Sequence, residues 1–290
     1  MVPLIVIEPI GGLGNQLFVY ALGLANADRL QTSLVADLTR ISSDAQRTFE
    51  LDTFSSTLSH EKFKPAPSKK SVGYKLHKFA QGGSGRYRNL YYERKSGFDE
   101  RLLSVPDGAR LRGYFQSWRY PLAVLDRLNA EVQSVVNPSE LFKERYDELA
   151  KQTDWIAVHA RFGDYKNLDH MHIASHYYRQ SLSFLEAREK QLPIVVFSDE
   201  PARARNLPVW EGLTNLSFVG PAPHMKPIEH LLLMSSAPKI VTANSTFSWW
   251  AGYLARSPAQ KVVFPRPWAA DRDDVADFIP PGWFGVQSRF

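Results

Sequence analysis

The chain contains no cysteine. Disulfides, thiolate nucleophiles and cysteine-ligated zinc are therefore excluded, and any site must be built from oxygen, nitrogen and backbone groups. It also lacks any apolar run approaching about 20 residues, so no segment reads as a membrane-spanning helix. The opening residues, Met-Val-Pro-Leu-Ile-Val-Ile-Glu8, lack the basic stretch of a secretory signal and run quickly into Gly11. They read as a first strand, with a cytoplasmic location as the default. Neither an internal repeat nor a nucleic-acid-binding motif is present, and a net charge of +5 is too mild to imply nucleic acid by itself. Such a charge suits a phosphorylated substrate, or contact with an anionic inner membrane surface.

What is present is a globular composition. With 290 residues, 44% of them hydrophobic and 12% aromatic, the chain can build one large domain or two ordinary ones. Apolar strand-like runs alternate with helical periods in both halves, which argues for two Rossmann-like lobes. Leu4 to Ile10 is a strand, Leu17 to Leu30 a helix and Ser33 to Leu38 a second strand ending in Asp37. Leu111 to Tyr120 has strand character, and its aromatics suit either the core or a sugar face. Leu122 to Val136 and Ser139 to Ala150 read as helices. Asn137-Pro138 between them sets the boundary, giving domains at 1–137 and 138–290. The second half continues with Asp154 to Tyr165, a helix from Tyr177 to Arg188, and strands at Pro193 to Phe197 and Leu216 to Gly220. A helix from Ile228 to Ser235 and a last strand at Lys261 to Phe264 follow, and the Pro- and Trp-containing end is expected to wrap the surface.

Four places combine a strand end with polar residues. Gly11-Gly12-Leu13-Gly14-Asn15-Gln16 separates the first strand from the first helix. Its glycines allow a tight turn and close backbone approach to a ligand, with Asn15 and Gln16 facing a crevice. The same residues half-match a dinucleotide fingerprint with Asp37 as the ribose carboxylate. That reading, an NAD-dependent oxidoreductase, fails at Leu17, where close helix–strand packing needs a small residue. The second place is His159-Ala-Arg161-Phe162-Gly163-Asp164-Tyr165. Strand alternation puts His159, Arg161 and Gly163 on one face and Val158, Ala160 and Phe162 on the other. Arg161 is then placed to grip a phosphate, or the group is a structural ion-pair network. The third is Asn244-Ser245-Thr246-Phe247-Ser248, between a short strand and a helix with Trp249, Trp250 and Tyr253. An N-cap is the plainer duty of these residues; the sharper one is an anion site at the helix N-terminus. Ser198-Asp199-Glu200, after the buried strand at Pro193 to Phe197, is a site candidate or another cap. The basic stretch from Lys62 to Arg88 and the D-x-D of Asp271 and Asp273 read as solvated loops, and no metal is assigned.

Taken together, Gly11 to Phe18, His159 to Tyr165, Val196 to Glu200 and Ala243 to Ala251 resemble the bacterial α-1,2-fucosyltransferases of glycosyltransferase family 11. Phe49-Glu-Leu-Asp-Thr-Phe54, Gly113 to Ser117, Leu232 to Ser235 and Lys261 to Pro265 look similar too, in the same order along the chain. The resemblance implies a GT-B architecture, two Rossmann-like domains facing across a cleft, with the acceptor on the N-terminal domain and the GDP-sugar on the C-terminal one. It implies GDP-fucose as donor, inversion at the anomeric carbon, no metal or cofactor, and a galactoside acceptor on an oligosaccharide or lipid-linked precursor. Carried over by motif, Arg161 contacts the diphosphate, and Asn244, Ser245, Thr246, Phe247 and Ser248 form the phosphate-binding turn. Asp199 lies in the nucleotide pocket, and Gly12, Gly14 and Asn15 approach from the other domain. His159 and Asp164 are the in-motif candidates for the base, with Asp37 and Glu93 outside the motif. The family usually has a second arginine where this chain has Phe162.

Overall fold

The computed structural model describes residues 4–54, 58–62, 90–93, 97–163, 173–254, 259–269 and 276–289. The chain divides into two compact units, Met1–Val136 and Asn137–Phe290. Among the described residues no helix is long and apolar enough to cross a membrane.

The first unit is a parallel sheet formed by β1 (Leu4–Ile7), β2 (Ser33–Asp37), β3 (Ser59–Glu61), β4 (Leu90–Tyr92) and β5 (Arg110–Arg112), in the order β3-β2-β1-β5-β4. The order reverses direction between β1 and β5, the kind of switch point that opens a ligand crevice beyond the strands' carboxyl ends. Helix α1 (Leu13–Leu30) crosses over from β1 and is almost entirely buried. It lies so close to the sheet that a Cβ on Gly23 would stand 2.4 Å from Ile7 Cγ2 and 2.9 Å from Leu34 Cδ1. The helix begins four residues before the expected Leu17. Gly12 serves as an extended N-cap, and its carbonyl accepts the N–H groups of Asn15 and Gln16. Gly11 before it has φ +69, a backbone state that a side chain makes strained.

The expected strand from Leu111 to Tyr120 stops at Arg112. Phe115, fully buried, takes φ 50 and turns the chain off the sheet. The expected helix from Leu122 splits into a 3-10 turn at Pro121–Val124 and α2 (Leu125–Gln133).

The second unit starts with α3 (Glu140–Ala150), capped by Ser139, whose Oγ accepts the Phe142 N–H at 3.2 Å. Its parallel sheet contains β6 (Ile156–Ala160), β7 (Ile194–Ser198), β8 (Leu216–Val219), β9 (Lys239–Val241), β10 (Lys261–Arg266) and β11 (Phe284–Gln287), in the order β11-β10-β9-β6-β7-β8. Again the order reverses at one place, between β6 and β9. Helices α4 (Ser175–Phe184), α5 (Pro201–Arg205), α6 (Pro227–Ser235) and α7 (Thr246–Tyr253) complete the unit. β6 and β7 are buried along their whole length, as central parallel strands should be.

Two features of this unit escape periodicity. Glu229 is fully buried on α6. Its carboxylate accepts the backbone N–H groups of Ser139 (2.6 Å) and Lys226 (2.7 Å) and the Ser139 hydroxyl (3.0 Å), tying α3 to α6. The chain end, expected to wrap the surface, instead supplies edge strand β11, which pairs with β10 from Val263↔Phe284 to Arg266↔Gln287. It also brings Phe278 against Trp249: the ring centroids are 5.7 Å apart, and the indole N–H donates to the Phe278 carbonyl at 2.9 Å. Proline content hid a strand that needs its N–H groups on one side only.

Candidate active site

Three adjacent strands of the second unit, β9, β6 and β7, end beside one another. Each delivers one of the polar clusters read from the sequence. Sequence alternation along β6 holds. Ile156, Val158 and Ala160 enter the apolar core, and Phe162 packs against the same cluster with the Arg203 guanidinium 4.5 Å from its ring. On the opposite face His159 sets its ring 5.7 Å from that of Phe247 on α7. Phe162 therefore substitutes for the second arginine on the face away from Arg161.

Arg161 lies just past β6 and Asp199 just past β7. Arg161 Nε stands 3.2 Å from Asp199 Oδ2, with the two side chains 24% and 21% exposed. The Asp199 carboxylate also accepts the N–H groups of Phe162 at 3.0 Å and Gly163 at 2.9 Å. A Cβ on Gly163 would come within 2.6 Å of Asp199 Oδ2, so a side chain there would push the carboxylate out of its place. Asp199, expected against a nucleotide, is engaged in holding this turn and aiming Arg161. Such charge-assisted bonds to backbone N–H are among the stronger ones.

The turn after β9 is built from its own hydroxyls. Ser245 is the N-cap of α7 and accepts the Phe247 N–H at 3.3 Å. Ser248 is buried, accepts from Ala243 N at 3.2 Å and donates to the Ser245 carbonyl at 3.2 Å. Asn244 is buried as well, at 2% exposure. The hydroxyls of Ser245 and Ser248, expected as ligands of a donor, also build the turn, and Thr246 and Phe247 are the partly exposed residues at the helix start. The leading N–H groups of a helix have no intrahelical acceptor, and its dipole favours an anion there.

His159 is 4% exposed, and its Nδ1 is buried with no hydrogen-bond partner among the described residues. Burial, with the Arg161 charge adding to it and Asp199 opposing, lowers its pKa to about 3. It is a neutral imidazole at pH 7 and too weak a base for the role given to it from sequence. Asp164, the other in-motif candidate, lies outside the described residues, as do Asp271, Asp273 and the basic stretch from 63 to 88.

In the first unit, Gly12 caps α1, Gly14 is buried in its first turn, and Asn15 Oδ1 accepts from Gln116 Nε2 at 3.0 Å. Gln16 does not face a crevice. It is fully buried, donates to the carbonyls of Gly11 and Thr48 at 2.8 Å each, and accepts the Glu50 N–H at 3.0 Å. Asp37 is likewise spoken for. It is paired with Arg110 and accepts the Thr39 N–H at 2.9 Å. Burial raises its pKa, but the Thr39 and Arg110 bonds outweigh that and the net shift is downward. A carboxylate so held neither binds a ribose nor serves as a base, and Leu17 is fully buried at the position that a dinucleotide fold needs small. Glu93 accepts the Tyr114 N–H at 2.8 Å. One further carboxylate beside the turn into α1 is Glu50, which accepts the Leu13 N–H. Burial is the largest influence and raises its pKa, against the Leu13 N–H bond and Arg47, with Asp52 adding to the rise. It lies at the N-terminus of α1, within the Phe49 to Phe54 segment that resembled the family without carrying an assigned role.

The family model for glycosyl transferase family 11 matches residues 4–287. An Escherichia coli protein named O-antigen biosynthesis glycosyltransferase WbnK is 29% identical over 288 residues, covering 90% of this chain and 93% of its own. An Escherichia coli alpha-1,2-colitosyltransferase is 27% identical over 282 residues, covering 93% of each. Among solved structures, a mutant of Arabidopsis thaliana FUT1 in complex with GDP matches with a TM-score of 0.51 at 16% identity, over 97% of this chain and 75% of that one. The fold class is GT-B, two Rossmann-like domains.

Proposed function

The chain belongs to glycosyl transferase family 11, and from that premise we propose that it moves L-fucose from GDP-fucose to the 2-hydroxyl of a galactoside, with inversion and without a metal. The acceptor is an oligosaccharide or lipid-linked galactoside, in keeping with a relative named for O-antigen biosynthesis. The observation that carries the reading is the meeting of Arg161, the Ser245–Phe247 helix start and the Asp199-held turn at three neighbouring strand ends.

Fucosyl transfer is limited by the departure of a doubly charged diphosphate from a carbon that becomes cationic. Fixed positive potential where that charge develops lowers the barrier. Arg161 supplies a whole charge and the N-terminus of α7 a partial one. Because Asp199 holds both Arg161 and the turn, little reorganisation is left for the moment of reaction. The orphan Nδ1 of His159 offers a hydrogen bond to the bound nucleotide, which would satisfy an otherwise unpaired buried atom. Removal of the acceptor proton falls to Asp164, the carboxylate within the same motif.

A second reading is favoured by the relative that transfers colitose, which is fucose without its 3-hydroxyl. A site that hydrogen-bonds that hydroxyl rejects the donor lacking it by roughly 10⁴-fold or more. Competition between GDP-fucose and GDP-colitose on one β-galactoside, with the linkage of the product read by NMR, separates the two. A fucosylated product with an α-1,2 linkage supports the reading; exclusive colitosyl transfer replaces it.

A further inference from the structure

The carboxyl end of the first unit's sheet carries a cluster that the donor chemistry does not use. Two tyrosines stand out from adjacent strands there: Tyr92 at the end of β4 is 50% exposed, and Tyr114 just past β5 is 45% exposed. Single exposed aromatics are ordinary, but two at adjacent strand ends, beside a buried ion-pair cluster, are not. Tyr92 is opposite Arg112 in the β4–β5 register. The Arg112 guanidinium lies 5.4 Å from the Tyr92 ring and donates to its hydroxyl at 3.3 Å.

Arg112 is in turn fixed from behind. Its Nε and Nη2 donate to the two oxygens of Glu8, at 2.5 and 2.7 Å, and Glu8 is 1% exposed. Arg110 reaches Glu8 at 3.0 Å and also pairs with Asp37. Arg40 also stands 3.9 Å from Glu8, so three guanidiniums (Arg40, Arg110, Arg112) face three carboxylates (Glu8, Asp37 and, at Tyr114, Glu93), and the cluster presents ordered polar edges with little net formal charge. The backbone at Tyr114 is fixed as well. Its N–H donates to Glu93, the preceding Gly113 has room for no Cβ (Glu93 Cβ would be 2.5 Å away), and the following Phe115 is locked in the core at φ 50. Fixed, partly strained backbone beneath an exposed ring is the pattern of a built binding surface.

We propose that Tyr92 and Tyr114 form the platform on which the terminal, uncharged pyranose of the acceptor glycan rests, with Arg112 as the hydrogen-bonding edge. The reading rests on the glycosyl transfer proposed above. A galactoside offers one face of C–H groups to an aromatic ring and a rim of hydroxyls to fixed polar groups. The near-neutral cluster favours such a sugar over an anionic one.

The test compares wild type with Tyr92→Ala, Tyr114→Ala, the double variant, and the Phe replacements. Lactose serves as probe in saturation-transfer-difference NMR and as acceptor in kinetics. The expected result is an acceptor KM raised about tenfold in each Ala variant and loss of the lactose signal in the double variant. The Phe variants should lie near wild type, and the GDP-induced thermal shift and acceptor-free hydrolysis of GDP-fucose should not change. An unchanged KM and lactose signal in the double variant would overturn the platform while leaving the transferase reading intact. A wild-type protein that responds to GDP but gives no lactose signal overturns the platform as well. Failure of the transferase reading itself would show separately, as absent turnover of GDP-fucose by wild type.

Discussion

At the scale of residues, the account turns on Arg161 and the groups that hold it. Arg161→Ala should lower turnover by about 10²–10³-fold, the usual cost of removing one group that stabilises developing charge. Arg161→Lys should restore only part of this, since an ammonium keeps the charge but not the guanidinium fork. Steady-state rates at saturating donor check both. His159 makes a different prediction, for stability. Its folded pKa of about 3 lies below the ordinary 6.5. The unfolded chain therefore takes up the proton first, so the contribution is intact above pH 6.5 and is lost as pH falls toward 3. The slope for one proton is at most about 1.4 kcal/mol per pH unit. In urea titrations from pH 7 to pH 4, any stability advantage of wild type over His159→Asn should shrink on acidification. A difference that stays constant with pH would mean the imidazole is not held neutral. The placement of Phe162 against the core, on the face away from His159, was legible from strand alternation alone. The engagement of Asp199, Gln16 and Asp37 was not, because each is satisfied by a partner dozens of residues away in sequence.

At the scale of elements, the packing of α1 on the first sheet is tight enough to test. Gly23→Ala places a methyl against Ile7 and Leu34 at distances no real contact tolerates. Overpacking of this kind costs about 1–3 kcal/mol, measurable as a lower urea midpoint. In the second unit, Trp249 is fully buried, stacks on Tyr253 at 4.7 Å and caps the Phe278 carbonyl. Trp249→Ala should cost about 3–5 kcal/mol, and α7, which carries the helix start of the candidate site, should loosen with it. Thermal unfolding followed by near-UV circular dichroism would register both effects. Helices and strands with clear periods were readable to within a few residues. Boundaries went astray where special backbone decided them. Gly11 and Gly12 let α1 start early, Phe115 at φ 50 ended β5 early, and β11 hid in a proline-containing tail.

At the scale of the whole molecule, two parallel sheets each reverse their strand order once, and each reversal carries a polar cluster at its carboxyl end. The sequence made the alternation of strands and helices visible, and the ordered motifs pointed to the family. Strand order depends on long-range pairing, so the crevices could be located only after β6 was seen beside β9 and β1 beside β5. In the mechanism proposed, fixed protein charge rather than a metal carries the departing diphosphate. The most direct measurement is GDP release from GDP-fucose with a β-galactoside present, in excess chelator, for wild type and Arg161→Ala. The account predicts full wild-type turnover under chelation and a loss of about 10²-fold or more in the variant. Turnover abolished by chelator and restored by a divalent cation, or a variant as fast as wild type, would contradict it.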